Sequence, residues 1–198
     1  MIIRGSVLAA AMMVAASAAT AQWDVGLQLS TTHYRGSAHD TTTASAVDNL
    51  RPGDATSVGL RLDHVIGRTR IGFQATYAKP GVAATAPGLS LSDKTTGQLV
   101  EMGIVVNFRV AGIGSSGAIR AELGPALHLW NLDDDVRSRL GALGGVTYEW
   151  PVAQRLTGTI RLEGMISASW FETTDLPPEL ERQVTWRYGW GVGLRYRL

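Results

Sequence analysis

Few residues in this chain can do chemistry, and their spacing does not assemble a catalytic group. The chain contains no Cys, which excludes a thiolate nucleophile. A hydrolytic site needs a His within reach of a Ser, with a carboxylate to orient the imidazole. In the segment around His33, Ser30 and Thr32 fall on the opposite face of an alternating pattern. No catalytic residue is therefore predicted among the four His, which are His33, His39, His64 and His128.

Metal and cofactor chemistry have one candidate each, and both have a simpler explanation. The consecutive acids Asp133, Asp134 and Asp135 offer hard oxygen ligands for Ca²⁺. Such a run is more often a solvated loop tip, which is the interpretation we favour. The Gly-rich stretches lack the GxxxxGK[ST] pattern of a phosphate cradle. The sequence thus predicts no metal site and no cofactor.

The elements that carry these residues follow a two-residue period. In Thr185–Leu198, every second residue is Trp, Tyr, Val or Leu, and the residues between them are Thr, Gly or Arg. This period indicates a strand with one apolar and one polar face. Eight such strands are predicted: Gln22–Tyr34, Ala55–Ile66, Thr69–Ala78, Gly97–Val110, Ala118–Trp130, Ser138–Trp150, Arg155–Phe171 and Thr185–Leu198. Pro125 removes a ladder donor, so a bulge or bend is expected there.

The first 21 residues have the composition of an export signal. Arg4 precedes the apolar run Val7–Ala19, which is shorter than the roughly 20 residues that a transmembrane helix needs. Ala19-Thr20-Ala21 has the small-x-small pattern of a cleavage site. We predict a signal peptide over residues 1–21, removed after Ala21, and one domain over residues 22–198 in the outer membrane. Spanning strands must close, which predicts an antiparallel, up-and-down transmembrane β-barrel.

The charge balance excludes one class of partner. Without Arg4 the chain has 17 basic and 17 acidic residues, so it is formally neutral. Nucleic-acid binding favours a basic patch or stripe, and no nucleic-acid partner is predicted. The connections alternate between long and short, as in outer-membrane barrels with long external loops and short periplasmic turns. Aromatic residues near the strand ends are expected to form two lipid-interface girdles: Trp23, Tyr77, Phe108, Tyr148, Trp150, Trp170, Trp186, Tyr188 and Tyr196.

The charged residues of the strands share one parity, and this assigns the two faces. A basic side chain facing lipid near the midplane costs about 2–4 kcal/mol, whereas opposite charges can pair inside the barrel. The bulky apolar face also holds too much volume for an eight-stranded interior. We therefore predict a lumen charge network made of Asp24, Arg61, Asp63, Arg70, Glu101, Arg109, Arg120, Glu122, Arg139, Glu149, Arg161, Glu163, Arg187, Arg195 and Arg197.

Strand register suggests two ion pairs within this network. Asp63 is expected near Arg70 across the first turn, and Glu122 near Arg109 across the second. The network contains nine Arg and six carboxylates, and the surplus of three positive charges predicts enclosed water or anions. Because a buried network must be satisfied nearly everywhere, replacing Glu163 with Gln is expected to lower the melting temperature by several degrees.

The whole of 22–198 resembles the eight-stranded outer-membrane barrels of the OmpA/OmpX type, also called opacity-like barrels. The best local match is Trp186–Leu198, which resembles the C-terminal segment that the barrel assembly machinery recognises in that family. Members usually end in Phe or Trp, whereas this chain ends in Leu198. The resemblance implies contact with outer-membrane lipid and with the assembly machinery.

The function predicted from these features is non-catalytic. We expect a monomeric outer-membrane barrel with a structural or surface-interaction role through its external loops, in contact with lipopolysaccharide. The polar stretch Thr41–Ala46 is one candidate contact. Two alternatives remain open. The first is a lipid A-modifying enzyme of the small-barrel type, and the second is a narrow porin-like pore for small solutes.

Overall fold

The computed structural model describes residues 22–40, 49–86, 89–93, 97–114, 116–132, 135–176 and 178–198. The predicted signal peptide with its cleavage point, the stretch Thr41–Ala46, and Asp133 with Asp134 lie outside the described residues. No described helix is long and apolar enough to cross a membrane.

The chain folds into antiparallel strands, as its two-residue period predicts. The strands are β1 Trp23–Asp40, β2 Asn49–Pro52, β3 Ala55–Ile66, β4 Thr69–Ala78, β5 Val82–Ala86, β6 Leu89–Asp93, β7 Gln98–Ile113, β8 Gly117–Leu132, β9 Asp135–Pro151, β10 Leu156–Ser167 and β11 Leu180–Arg197. Eight of them pair consecutively in the order β1, β3, β4, β7, β8, β9, β10, β11, and β11 pairs with β1 to close the ring. The predicted eight-stranded, up-and-down barrel fold is therefore confirmed.

The two ends of the barrel differ, and we call them the turn end and the loop end. At the turn end, short turns join β3 to β4, β7 to β8 and β9 to β10, and Asp24 of β1 lies opposite Arg197 of β11. Gly67 takes a positive φ of 61° in the first of these turns, a conformation that costs glycine little. The connections from β1, β4, β8 and β10 lie at the loop end.

The loop end contains more strand than the sequence predicts. β2, β5 and β6 lie where loops were expected, and they extend the sheet from β1 in the order β1-β2-β5-β6. β1 continues to Asp40, where it pairs with Leu180 of β11, and both residues lie outside the predicted strands. β2 and β5 have no continuous apolar face, and β6 alternates Leu and Ser over only five residues, so the period that marks a half-buried strand is short or weak in these segments.

Pro125 does not produce the expected bulge. The register between β7 and β8 is the same on both sides of it, although the ladder lacks the pairs between Gly103–Ala126 and Val106–Leu123. Pro125 still lies opposite Ala142 of β9. The bulge in β7 falls instead between Arg109 and Ala111. Losing pairs to one neighbour is thus enough to accommodate a residue without an N–H.

The two faces of the wall have opposite character. Outward-facing apolar side chains are exposed along every barrel strand, as Leu27, Ile104 and Leu162 illustrate, each of them more than half exposed. Inward-facing positions are mostly polar or small. One exception is a small apolar cluster inside the barrel, formed by Val105, Ala126, Leu143 and Met165.

Candidate functional site

The lumen is filled by paired charges. Six Arg and six carboxylates have side chains that are at most 9% exposed. They are Arg61, Arg70, Arg120, Arg161, Arg187 and Arg195, with Asp24, Asp63, Glu101, Glu122, Glu149 and Glu163. The two signs are equal in number, so these groups leave no surplus charge to attract an anion.

The part of this network nearest the loop end is built on Glu101. Arg187 of β11 donates to both carboxylate oxygens of Glu101 on β7, which lies across the lumen. The same guanidinium donates to Glu163 over 3.3 Å. Nε2 of His128 lies 3.6 Å from Glu101. A bidentate pair of this kind fixes both side chains and ties opposite walls together.

Glu122 is the centre of the middle part. It accepts a hydrogen bond from Arg61 over 2.6 Å and one from Asn107 over 3.3 Å, and it forms an ion pair with Arg161. Arg61 also donates through Nε to both oxygens of Asp63, over 2.8 and 2.9 Å. Each charge here has at least one opposite partner, which a buried ion needs to remain charged.

Glu149 holds the part nearest the turn end. It accepts hydrogen bonds from Arg70 over 2.6 Å, from Arg120 over 3.0 Å and from Arg195. Nε of Arg70 also lies 3.3 Å from Asp24. Three guanidinium groups around one carboxylate repel each other, and Asp24 and Asp63 supply the compensating charge.

Glycine on the inner face makes room for the network. A Cβ added at Gly72 would collide with a carboxylate oxygen of Asp63, and one at Gly145 would lie 3.1 Å from Oε1 of Glu122. These glycines lie directly opposite a charged residue on the neighbouring strand, since Asp63 faces Gly72 and Glu122 faces Gly145. The small residues of the polar parity therefore leave the volume that the long side chains fill.

Three predicted network residues lie elsewhere. Arg109 is exposed at the turn end beside the β7 bulge, and the Arg197 side chain is 62% exposed. Arg139 lies at the loop end, where it pairs with Glu172 and donates to the Ser169 carbonyl over 2.6 Å. Arg109 and Arg197 can be solvated by water at their strand ends, whereas the Arg139 side chain is only 15% exposed and is held by Glu172 and the Ser169 carbonyl. The surplus of positive charge expected inside the barrel is therefore not there.

The two ion pairs expected from register are also wrong. Asp63 pairs with Arg61 and Arg195 rather than with Arg70. Glu122 pairs with Arg61 and Arg161 rather than with Arg109. Arg61 lies on β3, the same strand as Asp63. Arg195 on β11 reaches Asp63 from another part of the lumen wall, and Arg61 on β3 and Arg161 on β10 reach Glu122 on β8 in the same way.

An aromatic cluster, the loop-end plug, closes the lumen above Glu101. The rings of Trp130 and Trp170 are 4.6 Å apart, and those of Trp170 and Phe171 are 4.8 Å apart. Arg137 and Arg139 donate to the Trp170 carbonyl over 3.3 and 3.5 Å. The plug consists of Tyr34, Leu99, Trp130, Trp170, Phe171 and Leu180, all nearly inaccessible to solvent.

Trp170 was predicted to face lipid, and this prediction is wrong. β10 ends at Ser167, so the parity that holds within the strand no longer decides where Trp170 points. The sequence analysis did not place Trp130 inside the barrel. Its parity, which is the same as that of inward-facing His128, could have indicated this position. Apolar side chains at these positions fill the lumen where the polar network stops.

The other predicted girdle residues lie on the outer surface. Trp23 and Trp150 are partly exposed and pack beside His64 and Tyr148, with ring centroids 4.7 and 5.7 Å apart. The remaining six are exposed, namely Tyr77, Phe108, Tyr148, Trp186, Tyr188 and Tyr196.

A pocket of about 350 Å³ opens at the loop end, beside β1, β2 and β11. Asp54 accepts hydrogen bonds there from Nδ1 of His33 and from Arg51, each over 2.9 Å. Partial burial raises the pKa of Asp54, but these hydrogen bonds outweigh it and hold the pKa below its usual range. The Arg35 guanidinium lies 5.7 Å from the Tyr188 ring centre.

This pocket gives His33 the carboxylate partner that the sequence did not reveal. Asp54 lies in a turn signal, and only the pairing of β1 with β3 brings it to His33. Among the described residues, no Ser hydroxyl is hydrogen-bonded to His33. Within the described ranges, no three His, Cys, Asp or Glu side chains converge as metal ligands.

Comparison with known proteins agrees with the architecture. No family model and no curated sequence matches the chain. Among solved structures, the chain is similar to Neisserial surface protein A, with a TM-score of 0.56 and 10% identity over 88% of this chain and 97% of that one. It is also similar to a major outer-membrane protein of Thermus thermophilus, with a TM-score of 0.50 and 12% identity over 89% and 99% of the two chains. The chain therefore has the fold of the small outer-membrane β-barrels.

Proposed function

We propose that the protein is a non-catalytic integral outer-membrane barrel that presents a binding surface at its loop end. In this proposal, the turn end faces the periplasm and the loop end faces the exterior. The continuous apolar outer surface supports membrane insertion, because a soluble protein rarely exposes an apolar area of this extent. The fold shared with outer-membrane barrels supports the location.

The observation that carries the surface role is the sheet extension formed by β2, β5 and β6. Leu50 and Asn49 of β2 pair with Ala38 and His39 of β1, so the extension continues the barrel wall beyond its ring. β6 is its edge strand and has no further strand partner among the described residues. A membrane anchor alone does not require this ordered projection. Binding residues commonly lie on loops that a rigid scaffold positions.

The interior argues against a pore. Ion pairs connect opposite walls along the lumen, and the loop-end plug buries Trp130 and Trp170 almost completely. An eight-stranded barrel has an interior just wide enough for side chains to fill. We therefore expect no stepwise conductance when the protein is reconstituted into planar bilayers.

One observation favours lipid modification as a second candidate. The His33–Asp54 pair lies beside Tyr188 at the outer surface, where a lipid headgroup can approach. Such a pair can orient an imidazole to activate a hydroxyl or a water molecule. Because no Ser or Thr is hydrogen-bonded to His33 within the described residues, this candidate ranks below the binding role.

The test removes β5 and β6 from the extension and keeps β2 and the barrel. Residues 82–93 are replaced by a short Gly-Asn-Gly link, and Ser116→Ala at the turn end serves as the matched control. Both variants and the wild type are placed in nanodiscs and assayed against immobilised glycans and extracellular matrix proteins. We expect at least one ligand that the wild type and the control bind and the shortened variant does not.

Two parallel measurements address the alternatives. Equal binding by the shortened variant would refute the surface role of the extension. Conductance steps would support a pore instead. Incubation with lipopolysaccharide followed by mass spectrometry would support the enzyme if an acyl chain were lost and if His33→Asn abolished that loss.

A further inference from the structure

The loop-end pocket interrupts the apolar parity of the outer wall. Along β1, the outward-facing positions are occupied by Val25, Leu27 and Leu29, and the two leucines are more than half exposed. Further toward the loop end, the same parity carries His33 and the exposed Arg35. Because a basic side chain facing hydrocarbon is costly, this change marks the level at which the wall leaves the apolar band.

Side-chain contacts hold the walls of this pocket in place. The His33 ring packs on the Tyr188 ring, with centroids 5.5 Å apart and planes inclined by 30°. The Arg35 guanidinium lies over the same Tyr188 ring, an arrangement that favours a fixed orientation of the cation. On the other side, Asp54 accepts hydrogen bonds from His33 and Arg51. The polar groups are therefore positioned before a ligand binds, which reduces the entropy cost of binding.

The charges of the pocket leave one guanidinium available. Asp54 compensates Arg51, whose guanidinium also donates to the Pro52 carbonyl over 3.1 Å. Among the described residues, no carboxylate pairs with Arg35. With His33 neutral, two arginines and one carboxylate give the pocket a net positive charge. A guanidinium without a carboxylate partner presents a fork of donors that fits the oxygens of a phosphate or a carboxylate.

The remaining polar groups of the pocket suit hydroxyls. Because Nδ1 of His33 donates to Asp54, Nε2 of the neutral ring is an acceptor. Asp54 is acceptor-only and keeps lone pairs beyond the hydrogen bonds that it already accepts. The Asn49 side-chain oxygen has no hydrogen-bond partner among the described residues. These acceptors lie beside the donors of Arg35 and Arg51, and a hydroxyl, which both donates and accepts, satisfies such a mixed set.

We propose that this pocket binds a sugar residue that carries one oxyanion, either a phosphate or a carboxylate. The oxyanion lies on Arg35, and the ring hydroxyls hydrogen-bond to His33, Arg51 and Asp54. The cavity of about 350 Å³ lies at the lower end of the range for small-molecule sites. The sugar belongs either to a glycolipid of the surrounding leaflet or to a free glycan. The inference names a ligand class for the loop-end binding role proposed above and rests on that role.

The test is NMR titration of the full barrel in nanodiscs, followed through the backbone amide signals of β1 and β11. The probes are glucose 1-phosphate, the neutral methyl glucoside and inorganic phosphate. We expect glucose 1-phosphate to bind at least fivefold more tightly than either of the other two. R35Q should weaken glucose 1-phosphate about tenfold and leave methyl glucoside unchanged, whereas D54N should weaken both sugars. The control R182Q removes an exposed positive charge at the loop end outside the pocket and should bind as the wild type does.

A lipid-linked probe separates the two sources of the sugar. Nanodiscs that contain monophosphoryl lipid A, and matched discs that contain phosphatidylglycerol instead, are titrated with glucose 1-phosphate. Weaker apparent binding in the lipid A discs alone assigns the pocket to a membrane glycolipid, and equal binding in both discs assigns it to a free glycan. Either result supports a site for an acidic sugar.

Three results would overturn the inference. They are equal affinity for glucose 1-phosphate and methyl glucoside, equal affinity for glucose 1-phosphate and inorganic phosphate, and a loss in R182Q as large as that in R35Q. If R35Q fails to fold, as judged by heat-modifiable gel mobility, R35K replaces it. Lys keeps the charge without the planar fork, so binding should weaken severalfold, and wild-type affinity would count against the inference.

The variant that lacks residues 82–93 separates this inference from the role of the extension, because it keeps every residue that lines the pocket. If the extension has no binding role, this variant should still bind glucose 1-phosphate as the wild type does. If the wild type itself does not bind glucose 1-phosphate, the pocket is refuted and the role of the extension is not affected.

Discussion

Glu122→Gln is the most informative change to the lumen network. The Glu122 side chain is fully buried and pairs with Arg61 and Arg161. Removing one partner of a buried ion pair costs about 3–5 kcal/mol, because the other charge stays buried. Arg61 keeps Asp63, and Arg161 keeps Glu163 at 3.2 Å. The loss should therefore lie at the low end, about 3 kcal/mol, or roughly 6–12 °C in melting temperature.

Glu163→Gln gives an internal scale for this effect. Its contacts with Arg161 and Arg187 are longer, 3.2 and 3.3 Å, and both arginines retain another carboxylate. We expect a loss of about 1 kcal/mol, or roughly 2–4 °C. The exposed Glu181 provides the matched control, and Glu181→Gln should change stability by less than about 0.5 kcal/mol.

The assay is thermal and urea unfolding of the three variants and the wild type in identical lipid vesicles. Tryptophan fluorescence and heat-modifiable gel mobility report the folded fraction. The expected order of destabilisation is Glu122→Gln, then Glu163→Gln, then Glu181→Gln. If Glu122→Gln had the same melting temperature as the Glu181→Gln control, the lumen charges would not stabilise the barrel as pairs. The reasoning from burial would then be refuted.

Two further predictions concern the wall and the loop end. Gly72→Ala should destabilise the barrel by about 1–3 kcal/mol through overpacking against Asp63. The control Gly164→Ala should be tolerated, because its added Cβ has no neighbouring atom nearer than 3.9 Å. The midpoints of urea unfolding measure the stability of both variants. Because the pKa of Asp54 is held below its usual range, its contacts should persist above about pH 4 and be lost as pH falls through the lowered value. Hydrogen exchange of the Tyr34 amide, which donates to Asp54 over 3.3 Å, should then accelerate after correction for the intrinsic rate.

The sequence predicted the barrel because lipid and lumen impose opposite demands on alternate residues. In β11, Trp186, Tyr188 and Trp190 are exposed, whereas Arg187 and Gly191 are buried. That contrast is strong wherever a strand separates the two environments. At the loop end both sides of a strand can meet water or another strand, which is why β2, β5 and β6 were not predicted.

The pairing of charges could not be predicted from register. Asp63 lies opposite Gly72, and Arg70 lies opposite Val65, so Asp63 and Arg70 are diagonal neighbours. Diagonal neighbours on one face are about 7–8 Å apart and point in nearly the same direction. A long Arg side chain reaches the facing wall more easily, as Arg70 does when it donates to Glu149 of β9. Contacts across a lumen depend on its width and on strand tilt, which a linear pattern does not contain.

Parity also overcounted the lumen charges, because it ignores position along the strand. Arg109, Arg139 and Arg197 were assigned to the lumen, yet Arg109 and Arg197 are exposed to water near strand ends, and Arg139 pairs with Glu172 at the loop end. Subtracting them leaves equal numbers of buried Arg and carboxylate groups, as expected where an unpaired buried charge is costly. The three additional arginines lie at the ends of the barrel, with Arg109 and Arg197 at the turn end and Arg139 at the loop end. An interior that is neutral, paired and plugged has little capacity to bind or conduct, which is the physical reason for seeking function at the two ends.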